Sequence, residues 1–463
     1  MNSFDIPKTY QSIVKKLILI AKDNNFIIYA VGGFVRDIIL NREPNDLDIM
    51  VEGENAGIEF SKLVANKLNI HPPITFEKFA TSKLFVDDKE IEFIMPRKEY
   101  YTENSRNPET EIGTLEQDAL RRDFTINALF LRLNDFKLLD LTKKGIADIN
   151  AKIIRVTDEA ASDIIFEQDP LRILRAVRQS FQLNFSIEPK TYQSMKNKVE
   201  RIKIVSGERI AEEINKILLL KKPSAVFNML DDIGLINILF PELKQTQKIE
   251  QPKLYHDKDV YNHTMEVLDK TEPNLLLRIT ALFHDIGKVQ TKSENNGKIS
   301  FINHETISSE LTKQILVRLK YPMDFIKKVC FLIENHMYPK MYNSNWKDSS
   351  VRRFANKIGD NLESIKLLNI ADSKVFNSEL FDRVQKLKQK NMLIPREELF
   401  NGKELINIFN KPAGKWINEV KEYIRNLQFD NPKITKKEVL EKLKKYWKYN
   451  KYNGIIKNKI LWV

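Results

Sequence analysis

Val31-Gly32-Gly33-Phe34-Val35-Arg36-Asp37, with Asn45-Asp46-Leu47-Asp48-Ile49-Met50 close behind it, is the stretch on which the fold turns. A glycine pair after a strand lets backbone N–H groups approach a polyphosphate without interference from a Cβ, and a following helix adds its positive end. Asp46 and Asp48 stand two apart in an apolar run that reads as a strand, so both carboxylates leave one face. Side by side they repel, and a divalent cation resolves the repulsion. Mg²⁺ suits the place because it prefers a few carboxylates and the phosphate oxygens of a substrate. Glu92, two residues after Glu90 in an alternating segment at 89–95, offers a third acidic ligand. Residues 26–30 and 47–51 read as short buried strands.

Three further phrases follow. Arg121-Arg122-Asp123-Phe124-Thr125-Ile126-Asn127-Ala128 closes the strand-bearing part, and Gln168-Asp169-Pro170-Leu171-Arg172 opens a helical one that continues through Arg175 and Arg178. Leu171, Leu174, Val177 and Phe181 form one apolar stripe there. Ser206-Gly207-Glu208-Arg209 begins another helix. Together with the opening motifs, these resemble the class II tRNA nucleotidyltransferase and bacterial poly(A) polymerase family of the polymerase-β-like superfamily. The resemblance runs from about residue 26 to about residue 375.

The resemblance implies a division of labour. Asp46 and Asp48 hold Mg²⁺ and are catalytic, while Gly32, Gly33 and Arg36 belong to the phosphate loop. Arg122, Asp123 and Asn127 face the ribose and phosphates, where Asp123 can accept from a 2′-hydroxyl and Arg122 can fork onto phosphate. Asp169 and Arg172, three apart and hence on one helix face, read the base in place of a nucleic-acid template, with Arg175 beside them. Cytosine and adenine both offer an amino donor next to a ring-nitrogen acceptor, whereas uracil and guanine reverse the pattern. A mispaired buried polar group costs about 1–3 kcal/mol, enough to select CTP and ATP. Glu208 and Arg209 brace the base-reading helix. One departure stands out: Gln168 occupies the place of the family's usual Glu.

Five of the six histidines, His256, His263, His284, His304 and His336, fall in one later segment. Its phrase Ala281-Leu282-Phe283-His284-Asp285-Ile286-Gly287-Lys288 resembles the HD phosphohydrolase superfamily. That resemblance makes His263, His284, Asp285 and Asp372 metal ligands, for Mg²⁺, Mn²⁺, Ni²⁺ or another divalent ion. His304 and His336 could complete a second metal site or hold phosphate.

The chain has 463 residues, which suggests several domains, and no apolar run long enough to span a bilayer. The expected class is α+β: a mixed-sheet nucleotidyltransferase head (1–149), an all-α neck and body with base-reading helices (150–245), a helical HD module (246–376) and a basic helical tail (377–463). A lone cysteine, Cys330, excludes an internal disulfide and lies in an apolar run, as a buried inert thiol does. The net charge of +12 suits a polyanionic partner. In the tail, lysines alternate with Tyr446, Trp447, Tyr449, Tyr452 and Trp462, a composition that fits either RNA or a solvated amphipathic end. The expected protein is a cytoplasmic enzyme with no membrane partner that adds CCA, CC or A to tRNA from CTP and ATP. The alternatives are a poly(A) polymerase, an HD phosphodiesterase or phosphatase with a vestigial head, and a non-catalytic RNA-binding protein. Nothing in the pattern fixes an oligomeric state.

Overall fold

The computed structural model describes residues 6–77, 80–100, 109–251, 258–374, 376–393 and 398–452. His256, Trp462 and the side chains of Tyr446, Trp447, Tyr449 and Tyr452 lie outside the described residues. The chain forms two compact units, Met1–Gln245 with Ile315–Pro322, and Thr246–Gln314 with Met323–Val463. Among the described residues no helix is long and apolar enough to cross a membrane.

The first unit opens with α1 (Lys8–Asp23), β1 (Ile28–Val31), α2 (Gly33–Ile39), β2 (Leu47–Val51) and α3 (Ala56–Leu68). Then come β3 (Ile74–Phe76), β4 (Thr81–Val86), β5 (Lys89–Ile94), β6 (Arg97–Tyr100), β7 (Glu109–Ile112), α4 (Leu115–Arg121), β8 (Leu129–Arg132) and β9 (Lys137–Asp140). Seven strands make one sheet in the order β3-β4-β5-β2-β1-β8-β9. Only β2 and β5 run parallel, so the sheet is mixed. β1 is apolar and buried throughout because both its faces are covered, β2 is so except at half-buried Asp48, and β5 alternates. The first strand begins two residues later than its pattern suggests, because the Phe26 N–H bonds back to Ala21 O and closes α1.

Beyond the sheet the unit is helical: α5 (Gly145–Ala151), β10 (Ile153–Ile154), α6 (Ser162–Gln168), α7 (Leu171–Leu183), β11 (Ser186–Ile187), α8 (Pro189–Lys198) and α9 (Gly207–Leu218). Three short helices, α10 (Pro223–Asp232), α11 (Leu235–Leu239) and α12 (Pro241–Lys244), complete it. The neck is not purely helical. Asn184, in the left-handed region at φ 59°, ends α7 and turns the chain so that β11 lies parallel to β10.

The second unit holds α13 (Val260–Lys270), α14 (Leu275–Phe283), α15 (Lys288–Thr291), β12 (Lys292–Asn295), β13 (Lys298–Phe301), α16 (His304–Arg318) and α17 (Met323–Asn335). α18 (Asp348–Ile358), α19 (Leu362–Asp372), α20 (Glu379–Gln389), α21 (Gly402–Phe409), α22 (Trp416–Asp430) and α23 (Lys436–Tyr452) follow. The expected all-helical HD module contains a β12–β13 hairpin, closed by Asn296-Gly297 with φ of 52° and 72°. Asn-Gly is the preferred pair for such a two-residue turn, since both positions need positive φ.

Candidate active site and metal centre

β1 delivers the chain to Gly32, whose φ of +72° favours glycine. A Cβ there would lie 3.2 Å from Arg122 Nη1, so the missing side chain gives the arginine room to close on the loop, and Asp48 Oδ2 lies 3.9 Å from the same point. Asp48 lies on β2 directly opposite Glu92 of the parallel β5. Asp46 stands one residue before the strand, and its side chain is exposed rather than fixed in the pleat. Burial, then Glu92, pushes the Asp48 carboxyl up to about 6, with Asp46 adding to the rise and Arg122 opposing it. A cation placed among these carboxylates would relieve that repulsion, so the residues fit the divalent ion that the family uses.

Asp118, wholly buried on α4, anchors the paired arginines. Its Oδ1 accepts from Arg121 Nε at 2.9 Å and its Oδ2 from Arg122 Nε at 2.9 Å. Burial favours the neutral acid, but Arg122 and Arg121 outweigh it and hold the carboxyl below its ordinary range. The α4 spacing of three and four residues was the available signal for this partner, although the motif itself does not include it.

Asp123 is engaged differently from its expected ribose contact. Oδ1 accepts from Phe124 N (2.8 Å) and Asn127 Nδ2 (2.9 Å), and Oδ2 from Arg175 Nε (2.9 Å) and Nη2 (2.6 Å). Asp123 therefore organises Asn127 and Arg175 while it lines the cavity. Burial is again outweighed, here by Arg175 and Asn127, so the group stays ionised well below the usual carboxylate range.

The base-reading pair also differs from expectation. Asp169 is not on a helix; it sits extended between α6 and α7, because Pro170 starts the next helix and disfavours helical geometry before it. Its Oδ2 accepts from Arg209 Nη2 at 2.8 Å, which ties α9 to this junction. Arg172 is buried and donates to the carbonyls of Arg121 (2.6 Å) and Ile165 (3.3 Å). Arg178 pairs with buried Glu213 of α9 at 2.6 Å. Gly32, Gly33, Arg36, Asp46, Asp48, Arg122, Asp123, Asn127, Asp169, Arg172 and Arg175 nonetheless all line one cavity of about 700 Å³.

In the second unit, α13 supplies His263, the end of α14 supplies His284 and Asp285, and α19 supplies Asp372, all buried. His263 Nε2 lies 3.0 Å from Asp372 Oδ1, and His284 Nε2 lies 3.2 Å from Asp285 Oδ2. His304 and His336 join them, their Nε2 atoms 3.4 Å apart and 3.3 and 3.9 Å from Asp285 Oδ1. His284, His304 and His336 each turn Nδ1 toward the carbonyl three residues earlier, at 2.8, 2.8 and 2.7 Å. That backbone bond makes Nδ1 the donor, so in the neutral ring Nε2 would turn its lone pair to the cluster. His284 Nε2 is buried without a hydrogen-bond partner, which is the environment of a metal ligand. Burial lowers the His284 pKa, yet Asp285 and Asp372 outweigh it and pull it up to about 10: the cluster calls for positive charge. His263, His284 and Asp372 form one set whose donor atoms lie within 4.8 Å of one another, and His284, Asp285 and His336 form another. Lys288 and Lys340, which the motif reading passed over, pair with Asp285 Oδ2 (2.7 Å) and Asp372 Oδ2 (2.6 Å).

A glycine loop beside Asp48 on a mixed sheet and Asp46 at the strand's start, with arginines from a helical neck lining the same cavity, is the arrangement of a nucleotidyltransferase. Residues 28–155 match the poly A polymerase head domain, residues 184–246 the probable RNA and SrmB-binding site of polymerase A, and residues 254–374 the HD domain. The A-adding tRNA nucleotidyltransferase of Deinococcus radiodurans is 31% identical over 331 residues, which cover 66% of this chain and 73% of that protein. The CC-adding tRNA nucleotidyltransferase of Thermus thermophilus is 25% identical over 91% of this chain and 93% of its own. The fold is similar to that of the Bacillus stearothermophilus CCA-adding enzyme in complex with CTP, with a TM-score of 0.69 at 21% identity over 96% of this chain and 99% of that one. The chain belongs to the class II CCA-adding and poly(A) polymerase family, with head, RNA-binding and HD domains.

Proposed function

We propose that the protein extends tRNA 3′ ends with CMP and AMP, adding CCA or its CC or A part from CTP and ATP without a nucleic-acid template. The observation that carries the reading is the single cavity that holds the phosphate loop, Asp46, Asp48 and the neck arginines together. Asp46 and Asp48 would hold Mg²⁺, which when bound activates the attacking hydroxyl and steadies the departing pyrophosphate. Gly32, Gly33 and Arg36 receive the triphosphate, and Arg122, fixed by Asp118, adds a fork of donors over the loop. Asp123 and Asn127 set the placement of Arg175 and Arg36. Arg172 and Asp169 also line the cavity, and a donor beside an acceptor there would favour cytosine and adenine once they exchange their bonds to backbone carbonyls and to Arg209 for the base. The division into a head at 1–149, a neck at 150–245, an HD module at 246–376 and a tail at 377–463 belongs to the same proposal. His263, His284, Asp285 and Asp372 would hold a divalent ion in the HD module.

Relatives named for A addition and for CC addition stand at comparable identity, so the product is the part that experiment must fix. Incubating the purified chain with tRNAs that end before CCA, after the first C or after the second C, with labelled CTP and ATP, resolves the product on a gel. Asp46→Ala and Asp48→Ala are expected to abolish incorporation with folding intact. Incorporation close to wild type in either would remove the mechanism.

A further inference from the structure

The sequence motifs pass over Gln179, which lies on the face of α7 toward the head and is 3% exposed. Its Oε1 accepts from Asn127 Nδ2 at 3.0 Å and from Arg36 Nη1 at 3.4 Å, and its Nε2 donates to Asp123 Oδ2 at 3.5 Å. Arg36 Nη1 also donates to Asn127 Oδ1 at 2.7 Å, so Arg36, Asn127 and Gln179 close a ring of hydrogen bonds. One turn further along, Arg42, just beyond α2, donates to the carbonyls of Gln182 (3.0 Å) and Leu183 (3.4 Å) at the end of α7. An arginine on the last carbonyls of a helix suits both their unpaired lone pairs and the negative helix end. These contacts add to the hold that the head already has on α7 through Asp123 with Arg175 and the Arg121 carbonyl with Arg172.

The same cavity has Gly32, Gly33 and Arg36 on its head side and Arg172 and Arg175, from α7, on its neck side. A nucleotide lying in it must reach both, so its affinity depends on the fixed spacing between them. We propose that Gln179 is a positioning residue that sets this spacing, locking the helix that carries Arg172 and Arg175 to the arginine of the phosphate loop. This rests on the nucleotide-binding reading above. Removing its amide leaves Arg36 paired with Asp37, at 2.8 Å on two atoms, and leaves the glycine loop intact. A ligand confined to the head should therefore bind as before, while one that spans the seam should not.

The test is calorimetric binding of CTP and of inorganic pyrophosphate, each with Mg²⁺, to the full chain and to Gln179→Met, which keeps length and volume but not the hydrogen bonds. CTP should bind about tenfold more weakly, the loss expected from one or two buried hydrogen bonds, with pyrophosphate affinity unchanged. Gln179→Asn, one methylene too short for the ring, should behave alike. A cycle with Asn127→Ala adds a second readout: if Gln179 acts through Asn127, the double variant binds CTP no worse than Asn127→Ala alone. Equal weakening of both ligands, fully multiplicative effects in the cycle, or loss of folding in both Gln179 variants overturns the inference. Absence of CTP binding by the wild-type chain would instead refute the nucleotidyltransferase reading itself.

Discussion

Asp118 illustrates how a residue outside every motif can govern the motif's behaviour. Its carboxylate has no solvent exposure and holds Arg121 and Arg122 in place, the latter also lying 5.2 Å over the Phe130 ring. Truncating it leaves two guanidinium groups partly buried beside a cavity, and breaking such a buried pair costs about 3–5 kcal/mol. Asp118→Ala is therefore expected to lower the urea midpoint and to impair CMP incorporation, because Arg122 loses its orientation over Gly32. An unchanged midpoint would mean that the arginines find other partners. The same residue contributes to the response to acid. The folded-state pKa values of Asp118 and Asp123 both lie below the value of ~3.9 typical of an unfolded chain, so the unfolded state binds more protons in that window. Their contribution is complete above the unfolded value and drains away as pH falls through the folded ones. Stability should be flat in this respect above about pH 5 and decline below about pH 4. Asp118→Asn should flatten that acid limb in melting curves taken across the range.

At the scale of elements, what is local in the chain was legible and what is assembled from distant elements was not. Gly32-Gly33 and Asp46-x-Asp48 stand close in sequence and line one cavity, and β2 runs over Leu47–Val51 as its pattern suggests, with Asp46 just outside it. The His284-Asp285 phrase likewise announces its chemistry locally. By contrast, Glu92, although its alternating segment offered it as a third acidic ligand, owes its place opposite Asp48 to a parallel pairing of β5 with β2 that no local pattern states, and Gln179 reaches Asp123 across 56 positions. No periodicity encodes such pairings. Two misses had signals that local reading could have used: the Asn296-Gly297 turn of the β12–β13 hairpin, and Pro170, which excludes Asp169 from the helix. Gly287 shows an element depending on one missing atom. A Cβ there would sit 2.5 Å from His304 O and 2.6 Å from Ser308 N, while its N–H donates to Ser308 Oγ at 2.9 Å. Gly287→Ala should force the start of α16 away from Asp285 and so reduce the metal content of the purified protein by mass spectrometry. Full metal occupancy in that variant would mean that His304 lies outside the site.

At the scale of the molecule, the two acidic centres draw on separate parts of the chain. Asp46, Asp48 and Glu92 all belong to the first compact unit, and His263, His284, Asp285, His304, His336 and Asp372 all belong to the second. Neither set borrows a side chain from the other, so each should fail alone. His284→Ala removes the imidazole common to both candidate ligand sets, yet Lys288 and Lys340 remain to neutralise Asp285 and Asp372, so the helices around the cluster keep a reason to pack. That variant should lose metal from the HD cluster and keep its rate of CMP and AMP addition. Asp48→Asn should do the reverse, keeping the HD metal while losing transfer, because the proposed mechanism calls on both carboxylates. Metal analysis and gel-resolved incorporation, run on the same preparations, read both halves at once. Loss of incorporation in a folded His284→Ala protein would make the histidine cluster a participant in transfer, and the separation of the two centres would then have to be given up.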